Sequence, residues 1–440
     1  MNKHLFFVAP SAYPLGGVAV WLDYLIPGLE EKGWNVVLAL VSGEHHDVAT
    51  YRRAYPRLKN VIEIDNPTGS LEGRINNLLR IIRQHNPDLV VGVNIPDCYE
   101  AVNRLRDEKR HGPHVAMAIH GIQPDMLDDM ADYGSVLDGV ICTNRLTMCL
   151  AQEDAGLDES QLFYAPYGVE LGQADPGKDT PGRKLRIAWV GRLEQFQKRI
   201  WDMPAIIKEL VNRSVDFELL IAGDGPEKVA IQEALEQQQL TRFVQSLGVV
   251  PPEEMQSRVY DASDILLVTS YWETGPIIIW EAMACGIPVV SSKYIGSGLE
   301  AGLVDGENCL LFNIGDNEFA AAQLQRLQDT KLCQQLVAGG YKLINDRYNK
   351  KISIQKWDTA FKEVLELPAR SAVISRVTSP TGRLDRVLGS RLGEFIRHSL
   401  GISHQHASAG GEWPHSYARR TIDDGDFWSM ARGLDVRGAQ

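Results

Sequence analysis

Cysteine is scarce in this sequence, and no two cysteines are spaced as C-x-x-C. The six present, Cys98, Cys142, Cys149, Cys285, Cys309 and Cys333, form neither a disulfide framework nor a paired thiol site, and Cys142, Cys285 and Cys309 lie in apolar contexts. We therefore expect a reducing compartment and no metal site. Long apolar runs are also missing. Nothing approaches the roughly 18 residues a membrane-spanning helix needs. The N-terminus has one Lys and a short run, Leu5 to Ala9, that leads straight into folded pattern. It lacks the length and cleavage site of a signal peptide, so a cytoplasmic protein is expected. Positive charge is in deficit as well: 45 Lys+Arg against 57 Asp+Glu give a net charge of −12. The overall field thus favours neither nucleic acid nor an anionic membrane, and no nucleic-acid partner is expected.

What remains is a globular composition, 44% apolar and 23% charged, over 440 residues, enough for two domains and an extension. The first half opens with an apolar strand at His4 to Ala9, a loop from Pro10 to Gly17, a helical period from Val18 to Lys32, and a second strand from Asn35 to Val41. This is the start of a doubly wound α/β sheet. Further strands are expected at Pro87 to Val93, Val115 to Ile119 and Leu137 to Thr143. Helices are expected at Leu71 to Gln84 and Asp97 to Lys109. The stretch from Asp47 to Asn60 interleaves Arg52, Arg53, Arg57 and Lys59 with Tyr51 and Tyr55. It reads either as a solvated basic segment or as a dock for an acidic or lipid-linked acceptor. Gln173 to Gly182 has the composition of a linker. Beyond it the pattern restarts, with strands at Leu185 to Val190, Phe217 to Ala222 and Val244 to Val250.

The most informative stretch runs from Ser270 to Gly286. It follows the apolar run Asp264 to Thr269, a buried strand. Thr274-Gly275-Pro276 turns into a helix with Pro276 near its first position, and Gly286 ends it before the strand Ile287 to Ser291. Glu273 sits in the loop and Glu281 on the helix. Eight steps separate them, about 12 Å if all were helical. That span suits the two ends of a sugar nucleotide, with the free amides of the helix start between them for a diphosphate. Each carboxylate only accepts hydrogen bonds, so each wants hydroxyl donors. Taken alone, the pair reads equally well as a solvated loop Glu and a surface helix Glu.

The spacing resembles the Glu-x7-Glu motif of retaining glycosyltransferases of the GT-B fold, in particular family 4. Glu281-Ala282-Met283-Ala284 and Gly286-Ile287-Pro288-Val289-Val290 match as well, and the resemblance covers roughly residues 3 to 367. It implies an α/β fold of two Rossmann-like domains facing a cleft. The expected division is an acceptor-side domain at 1–172, a linker at 173–182, and a nucleotide-sugar domain at 183–351. A helix at 352–367 would cross back, anchored by Trp357 and Phe361, and residues 368–440 would form a partly helical or disordered extension.

The same resemblance implies the roles. Glu273 and His120 would contact the donor sugar, and Glu281 would hold the ribose. Arg192 and Lys198 would neutralise the departing diphosphate of UDP or GDP, with the amides of Gly16 and Gly17. Thr274, Gly275, Pro276 and Ile277 would line the donor, and Val250 would flank the base. No cofactor is implied, because the nucleoside-diphosphate sugar is itself the substrate. A hexose or N-acetylhexosamine would pass to a hydroxyl of a glycan or lipid-linked acceptor, with retained configuration and without a metal, in surface polysaccharide or glycolipid synthesis. The alternatives are a GT-B epimerase or phosphorylase, or a non-catalytic scaffold binding a partner through its tail. One departure stands out: the family usually has Gly after its Lys, where this chain has Arg199. Either the loop differs, or Arg199 adds a phosphate or acceptor contact.

Two amphipathic helices are expected late in the chain, at Glu318 to Gly339 and Ile352 to Leu367. From Pro368 onward there are 10 Arg, no Lys and 7 Asp+Glu, against 35 basic and 50 acidic residues before it. Leu384 to Leu400 has Leu384, Val387, Leu388, Leu392, Phe395 and Ile396 at helical spacings. It reads as a basic amphipathic helix, either binding a membrane surface or partner, or packed on the enzyme itself. His404 to Gly411 looks flexible. Asp424-Gly425-Asp426 has the form of the metal-binding Asp-x-Asp of GT-A enzymes but stands apart from any nucleotide pattern.

Overall fold

The structure is a computed structural model, and it describes residues 3–11, 16–41, 47–93, 95–109, 112–172, 184–370, 382–403 and 424–437. The expected linker and the stretch His404 to Gly411 lie outside these. The chain divides into two compact units, residues 1–166 with 354–428, and 167–353 with 429–440.

The first unit is built on a sheet of seven parallel strands: β1 His4–Pro10, β2 Asn35–Val41, β3 Val61–Ile64, β4 Leu89–Val93, β5 His114–Ile119, β6 Gly139–Cys142 and β7 Leu162–Tyr164. Their order is β3-β2-β1-β4-β5-β6-β7. Leu5 to Ala9 are fully buried, as a central strand covered on both faces by helices requires. The helix Gly17–Glu31 follows β1. The helix Leu71–His85 starts at Ser70, whose side chain accepts from the Gly73 amide, and ends at left-handed Asn86. Trp357 and Phe361, on the helix Lys350–Glu366, pack into this unit. Their rings lie 4.6 Å from Trp21 and 5.8 Å from Phe7, centroid to centroid.

The second unit repeats the plan with six parallel strands: β8 Leu185–Val190, β9 Phe217–Ala222, β10 Val244–Gly248, β11 Ile265–Val268, β12 Val289–Ser292 and β13 Leu310–Phe312. Their order is β10-β9-β8-β11-β12-β13. Alternate side chains feed two cores: Ile187, Trp189, Ile265 and Leu267 on one face, and Ala188, Leu266 and Val268 on the other. In both sheets the winding reverses beside the first strand. In the second unit that switch point lies between β8 and β11, where ligands of open α/β sheets gather.

Several expectations need correction. The boundary falls at 166/167, not after 172, because Val169 bridges Asn349 and is hydrogen-bonded to its neighbours Tyr348 and Lys350. The expected helix from Glu318 to Gly339 is two, Asn317–Arg326 and Thr330–Leu343. Asp329 starts the second by capping the amides of Lys331 and Leu332. Leu384 to Leu400 is likewise two helices, Arg383–Leu388 and Ser390–Leu400, hinged at Gly389 with φ of 79°. β10 stops at Gly248, where φ is 65°, so Val250 lies in the following loop. The basic stretch after Asp47 forms the helix Val48–Ala54, and its cations serve the fold. Arg52 donates to the Val61 carbonyl at 2.7 Å, Arg53 to Thr50 at 2.7 Å, and Arg57 pairs with Asp23. Tyr51 and Tyr55 are buried and do not present a docking face. Asp424 and Asp426 belong to the first turn of the helix Asp424–Arg437. Helices at Pro124–Tyr133 and Arg145–Glu153 were not anticipated.

Candidate active site

Two loops meet at the carboxyl ends of β8 and β11. The first, after β8, is folded tightly around its own carboxylate: Glu194 accepts from the amides of Gln197 at 3.0 Å and Lys198 at 2.7 Å. It also needs glycine beneath it. A Cβ on Gly223, whose φ is 140°, would sit 1.9 Å from the Gly191 carbonyl oxygen. The second loop is tied to the first through backbone. Thr269 Oγ1 donates to the Lys198 carbonyl at 2.7 Å and accepts from Trp189 Nε1 at 3.0 Å, while the Tyr271 amide donates to the Gln197 carbonyl at 2.7 Å. Both loops are thus fixed before any ligand arrives.

This arrangement brings Lys198 and Glu273 together. Lys198 Nζ lies 2.5 Å from Glu273 Oε1. The same oxygen accepts from Ser270 Oγ at 2.6 Å, and Oε2 accepts from Gln197 Nε2 at 3.3 Å. Glu273 and Thr274 are each only 5% exposed. Arg192, exposed, stands on the same β8 loop. Gln197 and Ser270 were missed in the sequence. Ser270 lies three residues before Glu273, and its role depends on the loop curling back, which no spacing rule gives.

Beyond Glu273 the chain turns through Gly275, with φ of 127°, where a Cβ would approach Tyr167 to 2.9 Å. The helix Ile277–Ala284 then begins. Pro276 is its N-cap and no side chain caps it; the Ile279 amide turns back to the Pro276 carbonyl at 2.9 Å, which leaves the Ile277 and Ile278 amides to face an anion. Glu281 points to Tyr260, whose hydroxyl donates to Oε2 at 2.5 Å. Burial raises the Glu281 carboxyl above its usual 4.5, with the Tyr260 hydrogen bond and the Lys350 charge opposing. Burial first, and then the Glu281 charge, holds the Tyr260 phenol well above its ordinary value, so Tyr260 stays a donor. Val250 is partly exposed and packs against the same core as Ile277 and Ile278.

Arg199 resolves the departure from the family pattern. Its φ is 54°, so it takes the left-handed conformation that glycine would adopt there. Its guanidinium is directed at Asp202 in a bidentate pair, with Nε 2.8 Å and Nη2 2.9 Å from the two oxygens. The loop keeps the left-handed path, and the side chain is held by Asp202.

In the first unit, Gly16 is the N-cap of the Gly17–Glu31 helix, with no side-chain cap, and both glycines are exposed. His120 follows β5 and is buried beside Trp21, with ring centroids 4.4 Å apart, and is stacked on Trp357. Burial lowers its imidazole to about 3, so it is neutral at physiological pH.

The helix Asp424–Arg437 adds contacts that the sequence did not reveal. Asp435 accepts from the amides of Gly296 at 2.8 Å, Gly298 at 3.1 Å and Leu299 at 2.9 Å. From the same helix, Arg432 donates to the Tyr271 hydroxyl at 3.3 Å. The glycine turn at 296–298 is therefore a cradle filled by an acceptor.

Residues 184–329 match the family model described as Glycosyl transferases group 1. The putative glycosyltransferase EpsF of Bacillus subtilis is 29% identical over 182 residues, 37% of this chain and 46% of that protein. The D-inositol 3-phosphate glycosyltransferase of Corynebacterium diphtheriae is 34% identical over 152 residues, 32% of this chain and 34% of that protein. The chain thus spans less than half the length of these relatives. The crystal structure of Anabaena HepE in complex with UDP and glucose shares the fold, with a TM-score of 0.66 and 17% identity over 82% of this chain and 100% of that one. The two Rossmann-like sheets thus have the fold of these glycosyltransferases, and residues 184–329 of the second unit are similar to the group 1 glycosyl transferases.

Proposed function

We propose that this protein is a retaining glycosyltransferase that moves a hexose or N-acetylhexosamine from a nucleoside-diphosphate sugar, UDP- or GDP-linked, to a hydroxyl of a glycan or lipid-linked acceptor in surface polysaccharide or glycolipid synthesis in the cytoplasm. The observation that carries the reading is the Lys198–Glu273 pair, 2.5 Å apart at the switch point of the second sheet. It stores a cation and an anion side by side, one for each half of the donor. A diphosphate entering over the helix start competes for Lys198 and adds Arg192. Glu273, released from its cation, accepts hydrogen bonds from sugar hydroxyls while Ser270 and Gln197 keep it oriented.

As the glycosidic bond breaks, negative charge grows on the diphosphate. Lys198, Arg192 and the amides at Ile277 stabilise that charge more than they stabilise the intact donor, which lowers the barrier. Thr274, Gly275 and Pro276 set the path between sugar and phosphate. Glu281 accepts from the ribose diol and Val250 flanks the base. In the first unit, Gly16 and Gly17 supply donor-phosphate amides, and His120, neutral, hydrogen-bonds the sugar. The neighbour holding UDP and glucose supports the donor class.

The test is nucleoside diphosphate release from a panel of UDP- and GDP-sugars with and without glycan or lipid acceptors, with NMR of the product's anomeric proton. We expect acceptor-dependent release and retained configuration. Turnover independent of acceptor, or no binding of any nucleotide sugar in a thermal-shift screen, would sink the proposal.

A further inference from the structure

The hairpin formed by the helices Arg383–Leu388 and Ser390–Leu400 is inside out for a water-soluble element. Its inward face is polar. Asp385, Glu394 and Arg397 are buried, and Arg397 Nη2 ties the two helices by donating to Asp385 Oδ2 at 2.6 Å. Glu394 docks the hairpin on the start of the Leu71–His85 helix. It accepts from Thr68 Oγ1 at 2.8 Å and from the hydroxyl of the N-cap Ser70, so its negative charge also meets the positive end of that helix. Gly393 permits the close approach, since a Cβ there would meet Asp385 Oδ1 at 2.4 Å.

The outward face is apolar. Val387 is 81% exposed, Phe395 68% and Leu400 68%, and Leu388, Leu392 and Ile402 are exposed beside them. An amphipathic helix normally turns such residues to the core. Here the polar anchor fixes the opposite orientation. The charges sort the same way. Arg383, Arg386 and Arg391 are exposed, whereas both carboxylates of the hairpin, Asp385 and Glu394, are inside. Among the described residues of 382–403 the exposed formal charge is therefore entirely positive, on a chain whose net charge is −12.

From this geometry we infer that the hairpin is a docking surface for an anionic lipid bilayer. Apolar side chains ringed by arginines are what the headgroup boundary accepts: the rings and aliphatic groups enter the acyl edge while the guanidiniums pair with lipid phosphates. A protein partner would have to cover six apolar side chains on two short helices and the turn after them, and supply the carboxylates as well. A bilayer provides both at once. The inference does not depend on the reaction proposed above.

The test uses the full chain and flotation with vesicles of phosphatidylcholine alone or with about one third phosphatidylglycerol. Binding is expected only with the anionic lipid, and it should weaken as salt is raised. The double variant Leu392→Asp with Phe395→Asp should lose at least about tenfold in vesicle binding. Its thermal midpoint should stay unchanged, because both side chains are exposed. Arg383→Glu with Arg391→Glu should lose the preference for anionic lipid. The inference is overturned if the native chain fails to float with anionic vesicles, or if the apolar variant floats equally well. It is also overturned if the native chain sediments as a dimer that the variant abolishes, which would make a second copy the occupant.

Discussion

Replacing Lys198 by Met removes the cation facing Glu273 and keeps the length of the side chain. The Glu273 side chain is 7% exposed, so its charge is left largely desolvated. Breaking a buried pair from one side costs about 3–5 kcal/mol. Ser270 at 2.6 Å and Gln197 at 3.3 Å still donate to the carboxylate. They lower the expected cost to about 2–3 kcal/mol. For a unit of this size that lowers the melting temperature by about 4–12 °C. The double variant Lys198→Met with Glu273→Gln carries no orphaned charge, so it should be more stable than the single variant, recovering about half of the loss. Turnover behaves differently. Lys198→Met should reduce kcat by about 10²–10³, the scale of one electrostatic donor, and the double variant should recover none of it. Calorimetry of the three proteins, with nucleoside diphosphate release measured on each, separates the two effects. If the double variant is less stable than the single one, or if Lys198→Met turns over within threefold of the native rate, the reasoning about this pair is wrong.

Glu281 gives a pH prediction. Its folded value lies above 4.5, so protonation helps the fold below 4.5, and that help is lost as pH rises through the folded value. Donor binding runs the other way, because only the charged form accepts from both hydroxyls of a diol. Donor affinity measured by calorimetry should fall as pH drops from neutral toward 4.5, and Glu281→Gln should flatten that slope. A slope unchanged in the variant would remove the ribose assignment. At Arg199, Ala keeps the left-handed backbone and loses the Asp202 pair, whereas Gly also relieves the backbone. Arg199→Gly should therefore be more stable than Arg199→Ala by about 0.5–1 kcal/mol, and the reverse order in thermal melts would count against strain at that position. His120, held near 3 by burial, should show no ring titration by NMR between about pH 5 and 8, and a titration near 6.5 would contradict the enclosed environment.

Much of the second sheet was readable because parallel strands buried on both faces are short continuous apolar runs. The strands Leu185 to Val190 and Phe217 to Ala222 matched residue for residue. Glu273 and Glu281 stood out through a local motif, and Arg192 and Lys198 through their place after a strand; the pairing of Lys198 with Glu273 was not foreseen. What was hidden depends on long-range geometry or on short breaks. Ser270 reaches Glu273 through a curl in the loop, and Tyr260 reaches Glu281 from a segment 21 residues earlier. The two split helices looked continuous because apolar spacing carries across a break of one to three residues. Only Asp329 and Gly389 mark those breaks, and each is also common inside ordinary surface sequence. The inward direction of Glu394 and Arg397 could not be read at all, since periodicity says which residues share a face but not which face turns inward.

The Asp435 cradle has a practical consequence for dissection. The family match ends at residue 329, yet three peptide N–H groups of that matched region find their acceptor 136 to 139 positions further along the chain. Cutting out the second unit at 167–353 would strip the acceptor away, at about 1–3 kcal/mol for each donor left dry. A fragment designed from homology alone would therefore melt early and misreport the domain it was meant to isolate, unless the final helix were supplied to it in trans.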